Sequence, residues 1–315
     1  MTATSTASAT DPAASPVKRV RSSHIGRILV IARNTFTQLV RMKVFYFLAV
    51  FAVITIGSNF FELPQHEGPE VLGADVLSSI KSWSLGTMTL FSVILAVVAT
   101  ALLLPKDVED RTLYTILAKP VPRFDYLAGK LLGVLALIFV SLALMDILMT
   151  VVLQIRTSLV LQSEVAFAEA RNRPQDYIDA IRAGVLKHGP DWSLQGAVIA
   201  VFIRSAIIAS LALLISTFST STLFTTIVTI LIYFMGHFQA DALSAYVSAG
   251  STGGKIVSGL VSLVLPNFQL FNVIDAVIEG AVMPAIVLAK LAGIGLFYAV
   301  LYTLGSWFVF SDKEF

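Results

Sequence analysis

Apolar runs bounded by charged or turn-forming residues recur six times along the chain, at residues 44 to 60, 85 to 104, 131 to 153, 194 to 216, 222 to 240 and 284 to 310. A helix needs roughly 20 residues to cross the hydrocarbon layer of a bilayer. In lipid, every backbone polar group must be satisfied within the spanning structure, which leaves helices and closed barrels. A barrel would show alternating strands of about ten residues, and these runs do not alternate. The pattern therefore predicts an all-α integral membrane protein with six transmembrane helices, a single unit over 23 to 315.

Three connections carry patterns of their own. Residues 25 to 43 place Ile25, Ile28, Leu29, Ala32, Phe36, Leu39 and Val40 on one helical stripe, with Arg27, Asn34, Gln38 and Arg41 facing away. That spacing predicts an amphipathic interfacial helix lying along one leaflet and entering the first span at Val44; the competing reading is a helix packed on another domain. The long connection 154 to 193 is mixed in charge, and within it Asp176 to Lys187, followed by Gly189 and Pro190, has helix-forming residues and a stop signal. Residues 256 to 280 begin with an apolar stretch that reaches only to Pro266. Such a stretch is too short to span and reads as a re-entrant hairpin before the last span.

Composition agrees with lipid as the solvent: 56% of the 315 residues are hydrophobic and 13% charged, against about a quarter charged in soluble domains. A net charge of +2 hides an asymmetry. With the N-terminus inside, thirteen Lys and Arg residues fall on the cytoplasmic side and seven on the other, where twelve carboxylates join them. Cytoplasmic flanks hold the positive excess, so both termini are expected in the cytoplasm and the loop 154 to 193 outside. Residues 1 to 22 read as a disordered cytoplasmic tail, because MTATSTASATDPAASP has no apolar core of the kind a signal peptide requires.

The chemistry of sites is mostly excluded. There is no cysteine, which removes disulfides, thiol catalysis and Cys-ligated zinc. His24, His66, His188 and His237 fall in no metal-ligand spacing. The stretch AGSTGGKIV resembles a phosphate loop only superficially, since Ala249 stands where the first glycine is needed and Ile256 where Ser or Thr would hold magnesium. Inside the runs lie three ionisable residues, Asp146, Arg204 and Lys290. Charges at membrane depth are functional hypotheses by default; Asp146 and Arg204 would meet if spans three and four are neighbours, and snorkelling of Arg204 and Lys290 is the alternative.

The most specific segment is VEDRTLYTILAKPVPRFDYLAGK, Val108 to Lys130, between spans two and three. It is charged and helix-forming as far as Ala118, then broken by Pro120 and Pro122. In the order Glu109, Arg111, Thr112, Leu113, Leu117, Pro120, Val121, Arg123, Gly129 and Lys130 it resembles the permeases of ABC-2 type transporters. Arg111 stands where that family often has glycine. TFTQLVRMKVFYFL near the N-terminus, LPNF before the last span, and WFVFSDKEF at the end add to the resemblance.

That resemblance implies a permease subunit of an ATP-driven transporter in the cytoplasmic (inner) membrane. It implies a coupling helix carrying Glu109, Asp110, Arg111, Thr112, Leu113, Leu117, Lys119 and Pro120, docked on cytoplasmic ABC ATPase subunits. A second permease copy or paralogue would complete the pair. The chain would bind no cofactor itself, with ATP and magnesium on the partner ATPase, and would not be an enzyme; membrane lipid is a partner and nucleic acid is not. The alternatives are a non-transporting membrane scaffold and a secondary transporter, which would show inverted repeats with interrupted helices.

Overall fold

The computed structural model describes residues 23–41, 45–57, 72–109, 122–219, 221–248, 253, 256, 259 and 264–312. Among the described residues the bounded α-helices are, in order, α1 His24–Val40, α2 Phe45–Gly57, α3 Leu72–Glu109, α4 Arg123–Ala170, α5 Gln175–Lys187, α6 Trp192–Phe218, α7 Thr222–Ser248, α8 Ile274–Ile278 and α9 Ala285–Ser311, with a 3₁₀ turn at Phe268–Phe271. No strand occurs among the described residues. Five of these helices, α3, α4, α6, α7 and α9, are long and apolar enough to cross a membrane. The first expected span, 44 to 60, falls on α2, of which Phe45–Gly57 are described.

α6 is the centre of the bundle. It packs against α3, α4, α7 and α9, and small residues along it, Gly196, Ala197, Ala200, Ser205, Ala209 and Ser210, are buried. Small side chains let neighbouring helices approach closely, which is how helices associate where lipid supplies no hydrophobic drive. Gly295 of α9 is such a point of approach: a Cβ there would lie 2.1 Å from Ile203 Cγ2.

The helices outrun the apolar runs that betray them. α3 starts at Leu72 and continues through Pro105 to Glu109, beyond the run 85 to 104, and it encloses Lys81, which is 1% exposed. α4 has 48 residues, about 72 Å at the helical rise, so that it extends far past the run 131 to 153. It returns through a turn in which Asn172 has φ 51°, then through α5 and the Asp191 cap, whose carboxylate accepts from Trp192 N at 2.6 Å. The connection 154 to 193 is therefore a helical hairpin standing on the bundle. Glu109 and Arg123 mark one end of the bundle, the basic end, and α5 marks the opposite end.

α1 forms over the expected residues, and Phe36, Leu39 and Val40 of its stripe pack on the bundle. Thr35 and Leu39 are buried, whereas Ile25 and Leu29 are 69% and 59% exposed. Arg27, expected to face away, turns inward and donates from Nε to Asp125 Oδ2 at 2.9 Å. The cause is on α4: Gly129 lies against Ile31 and the Ile28 carbonyl, and Gly133 against Thr35 and the Ala32 carbonyl. Contacts advance by four residues on both helices, so α1 runs alongside the first turns of α4, in the same direction.

The segment before the last helix folds back into the bundle. Tyr302 Oη donates to the Val264 carbonyl at 2.6 Å, and Tyr298 Oη to the Leu265 carbonyl at 3.3 Å. Tyr302 is 17 residues past the start of α9, or about 26 Å along it, which places Val264 deep beside that helix. From there the chain returns to the opposite end. Ser78 Oγ donates to the Ile278 carbonyl at 3.4 Å, Gly280 turns with φ +77°, and Met283 N donates to Ser193 Oγ at 3.0 Å.

Candidate functional site

The expected coupling residues Asp110, Arg111, Thr112, Leu113, Leu117, Lys119 and Pro120 lie outside the described residues, and Glu109 is the last residue of α3. What the structure does give is the frame that holds both ends of that segment. α3 delivers Asp107 two residues before its end, and α4 begins at Arg123 two residues after Val121.

Asp107 is 5% exposed and Lys130 3%. Their charges meet as an ion pair, Lys130 Nζ to Asp107 Oδ2, at 2.6 Å. Tyr126, fully buried, donates its hydroxyl to the same carboxylate oxygen. The Lys130 ammonium also sits 5.7 Å from the centre of the Tyr126 ring. Lys130 and Tyr126 are four residues apart and hence on one face of α4, and that face looks at α3. One carboxylate, one ammonium and one phenol thus close a buried polar knot between the helix that enters the segment and the helix that leaves it.

Two further bridges tie this knot to the termini of the bundle. The Tyr126 ring stacks on Phe310 of α9 with centroids 6.0 Å apart. Arg123 donates from one amino group to the carbonyls of Phe310 and Ser311, at 2.8 and 2.5 Å. Those are end-of-helix carbonyls with no partner inside α9, and a cation there also meets the negative end of the helix dipole. On the other side, Asp125, 3% exposed in its side chain, receives Arg27 and lies 3.0 Å from His24 Nδ1. α1, α3, α4 and α9 are therefore all fastened within one turn of the segment 110 to 121.

The three charges expected within spans are dispersed. Asp146 accepts from Gln195 Nε2 at 3.3 Å near the opposite end. Arg204, 6% exposed, neither pairs with Asp146 nor snorkels to an end of its helix. It donates to the Tyr233 hydroxyl and lies 2.8 Å from His237 Nε2, both on α7. Lys290 is exposed on α9. The expected meeting of Asp146 and Arg204 fails on depth: Gln195, level with Asp146, is nine residues before Arg204, and nine residues of helix are about 13 Å.

Lys130 and Arg123 are expected here only through the resemblance, Arg27 is expected to face away, and Asp107, Tyr126 and Asp125 carry no expectation from the sequence. A signal was present. Asp107 and Lys130 are opposite charges at the same ends of consecutive antiparallel spans, where membrane-buried ionisable groups seek each other. Among the described residues no group of three His, Cys, Asp or Glu residues is arranged to hold a metal.

Among curated proteins none matches this chain. Residues 29–315 match the family described as ABC-2 family transporter protein, which covers every helix of the bundle except the first turn of α1. With that match over residues 29–315, the chain belongs to the ABC-2 family of membrane transporter proteins.

Proposed function

We propose that this permease is driven by separate ATPase subunits that grip residues 109 to 121, and that the knot of Asp107, Tyr126 and Lys130 passes the movement of that segment into the bundle. The supporting observation is the knot itself. A pull on either end of that segment would reach α3 and α4 through the knot, and through Arg123 and Asp125 also α9 and α1. The residues expected to make the grip are Glu109, Asp110 and Arg111, with Thr112, Leu113, Leu117, Lys119 and Pro120 shaping the element. ATP and magnesium would be bound by the partner. Two permeases, identical or paralogous, would line the path between them, with six spans each and both termini in the cytoplasm of a cell whose inner membrane holds the complex.

Reversal of two charges tests the grip. Glu109→Arg with Arg111→Glu should lower recovery of the ATPase with the purified permease by at least about tenfold, if each charged contact is worth about 1 to 3 kcal/mol at a buried interface. The detergent-solubilised yield should be unchanged, because the reversal leaves Asp107, Tyr126 and Lys130 in place. Equal ATPase recovery with both proteins would dismiss this segment as the docking element.

Orientation is tested separately. The chain has no cysteine of its own, so single cysteines replacing Lys119 and Lys187 report without background. In sealed membranes they should react with an impermeant maleimide from opposite faces, Lys119→Cys from the cytoplasmic one. Reaction of both from one face would overturn the arrangement.

A further inference from the structure

Arg204 sits 12 residues past the start of α6, about 18 Å along the helix, and points into the bundle rather than out of it. Its partners are neutral. One amino group reaches the Tyr233 hydroxyl and His237 Nε2, and its carbon lies 5.3 Å from the centre of the Tyr233 ring. Nε is buried with no hydrogen-bond partner, and among the described residues no carboxylate pairs with the group.

The imidazole does not supply the missing charge. His237 Nδ1 lies 3.0 Å from the Tyr233 backbone carbonyl, which can only accept, so Nδ1 carries the proton. Nε2 is then the bare nitrogen that accepts from Arg204. Protonating it would set N–H against N–H. The cluster therefore holds one net positive charge at the depth where a charge is least tolerated.

The surroundings leave a way in. Tyr233 and His237 are half-buried on α7, whose neighbouring Phe234, Met235 and Phe238 are 56%, 55% and 65% exposed. Above them the re-entrant segment closes the cluster: Phe268 lies 5.4 Å from the Tyr233 ring and 5.8 Å from His237. Gly236 makes that approach possible, since a Cβ there would stand 2.5 Å from Phe268 and 2.7 Å from the Pro266 carbonyl. A buried guanidinium whose Nε meets no acceptor among the described residues, beside the Tyr233 and His237 rings and behind the apolar face of α7, is complementary to an acidic head group carried on apolar chains.

We propose that Arg204, with Tyr233 and His237, receives the phosphate or other acidic group of an amphiphile that enters along α7. As the substrate class of the permease the assignment rests on the reading above, but the binding it requires needs no ATPase and is read on the full-length chain alone. The phosphate group is the shared chemistry of a lipid head group and a free anion; the apolar approach favours the lipid.

The test is native mass spectrometry of the permease in a neutral detergent, titrated with dioctanoyl phosphatidic acid, with dioctanoylglycerol, and with inorganic phosphate. Saturable retention of phosphatidic acid is expected, at least about tenfold weaker in Arg204→Gln, as for truncating one partner of a buried charged contact. Dioctanoylglycerol should not compete. Competition by inorganic phosphate at equal concentration would reassign the ligand to a free anion. His237→Glu provides a variant that keeps the fold if Arg204→Gln does not: it gives Arg204 an internal carboxylate, so it should raise the thermal midpoint while abolishing retention. Equal retention by wild type, Arg204→Gln and His237→Glu, or none by wild type, overturns the proposal without touching the ATPase-driven reading, whose own test is ATPase recovery.

Discussion

Lys130→Met is expected to lower the thermal midpoint of the detergent-solubilised permease more than any other single polar change at the basic end. The substitution keeps the length of the side chain and its packing on Tyr126, so the loss isolates the charge. Asp107 would remain 5% exposed without the ammonium 2.6 Å away. Removing one partner of a buried ion pair costs about 3 to 5 kcal/mol, because the other charge stays desolvated. The Tyr126 hydroxyl still donates to that carboxylate, which sets the expectation at the lower end. Asp107→Asn combined with Lys130→Met should recover much of the loss, as both charges are then gone. A coupling of more than about 1 kcal/mol between the two substitutions is the signature of residues acting as one unit. Equal midpoints for wild type and Lys130→Met would show that the pair carries no weight in the folded state, and with it the route from the segment 110 to 121 into the bundle.

The same pair shows what the sequence makes legible. Hydrophobic runs find the crossings because lipid penalises every polar group within them, and α3, α4, α6, α7 and α9 each contain an expected run. The ends of the helices are not penalised in that way. Asp75, Lys81 and Asp107 belong to α3 although they interrupt or flank its run, since a helix leaving the bilayer remains stable where neighbours pack on it. Pairings between helices are harder still, because periodicity along one segment says nothing about which segment faces it. Asp146 finds Gln195 and Arg204 finds Tyr233 and His237; the outcome depends on relative depth, which follows from where each helix begins. Pro266 marks the break ahead of the last span, but what holds residues 264 to 268, Gly236 and the hydroxyls of Tyr298 and Tyr302, sits on other helices.

α1 illustrates the same limit and carries the second large effect. Its stripe predicts an apolar face turned to lipid, and Ile25 and Leu29 stay exposed; the contact with α4 runs beside that face, because Gly129 and Gly133 open a strip without side chains one turn apart. A Cβ on Gly133 would stand 2.6 Å from Thr35 Cβ and 2.8 Å from the Ala32 carbonyl. Both distances are below contact, and one neighbour is backbone, which cannot rotate away. Gly133→Ala should therefore already loosen α1 by about 1 to 3 kcal/mol, the usual cost of inserting a methyl group into a filled contact. Gly133→Leu should expel it. Thr35 is the reporter, being fully buried against α4 in a chain without cysteine. Thr35→Cys alone should resist a membrane-permeant maleimide in the folded protein and react readily once Gly133→Leu is added. Because Arg27 and His24 on the same helix hold Asp125, the separation should also release the first turn of α4, so that Arg123 loses its grip on the α9 carbonyls. Protection of Thr35→Cys that survives Gly133→Leu would mean that α1 is held by its ion pairs alone and that the glycine strip is incidental.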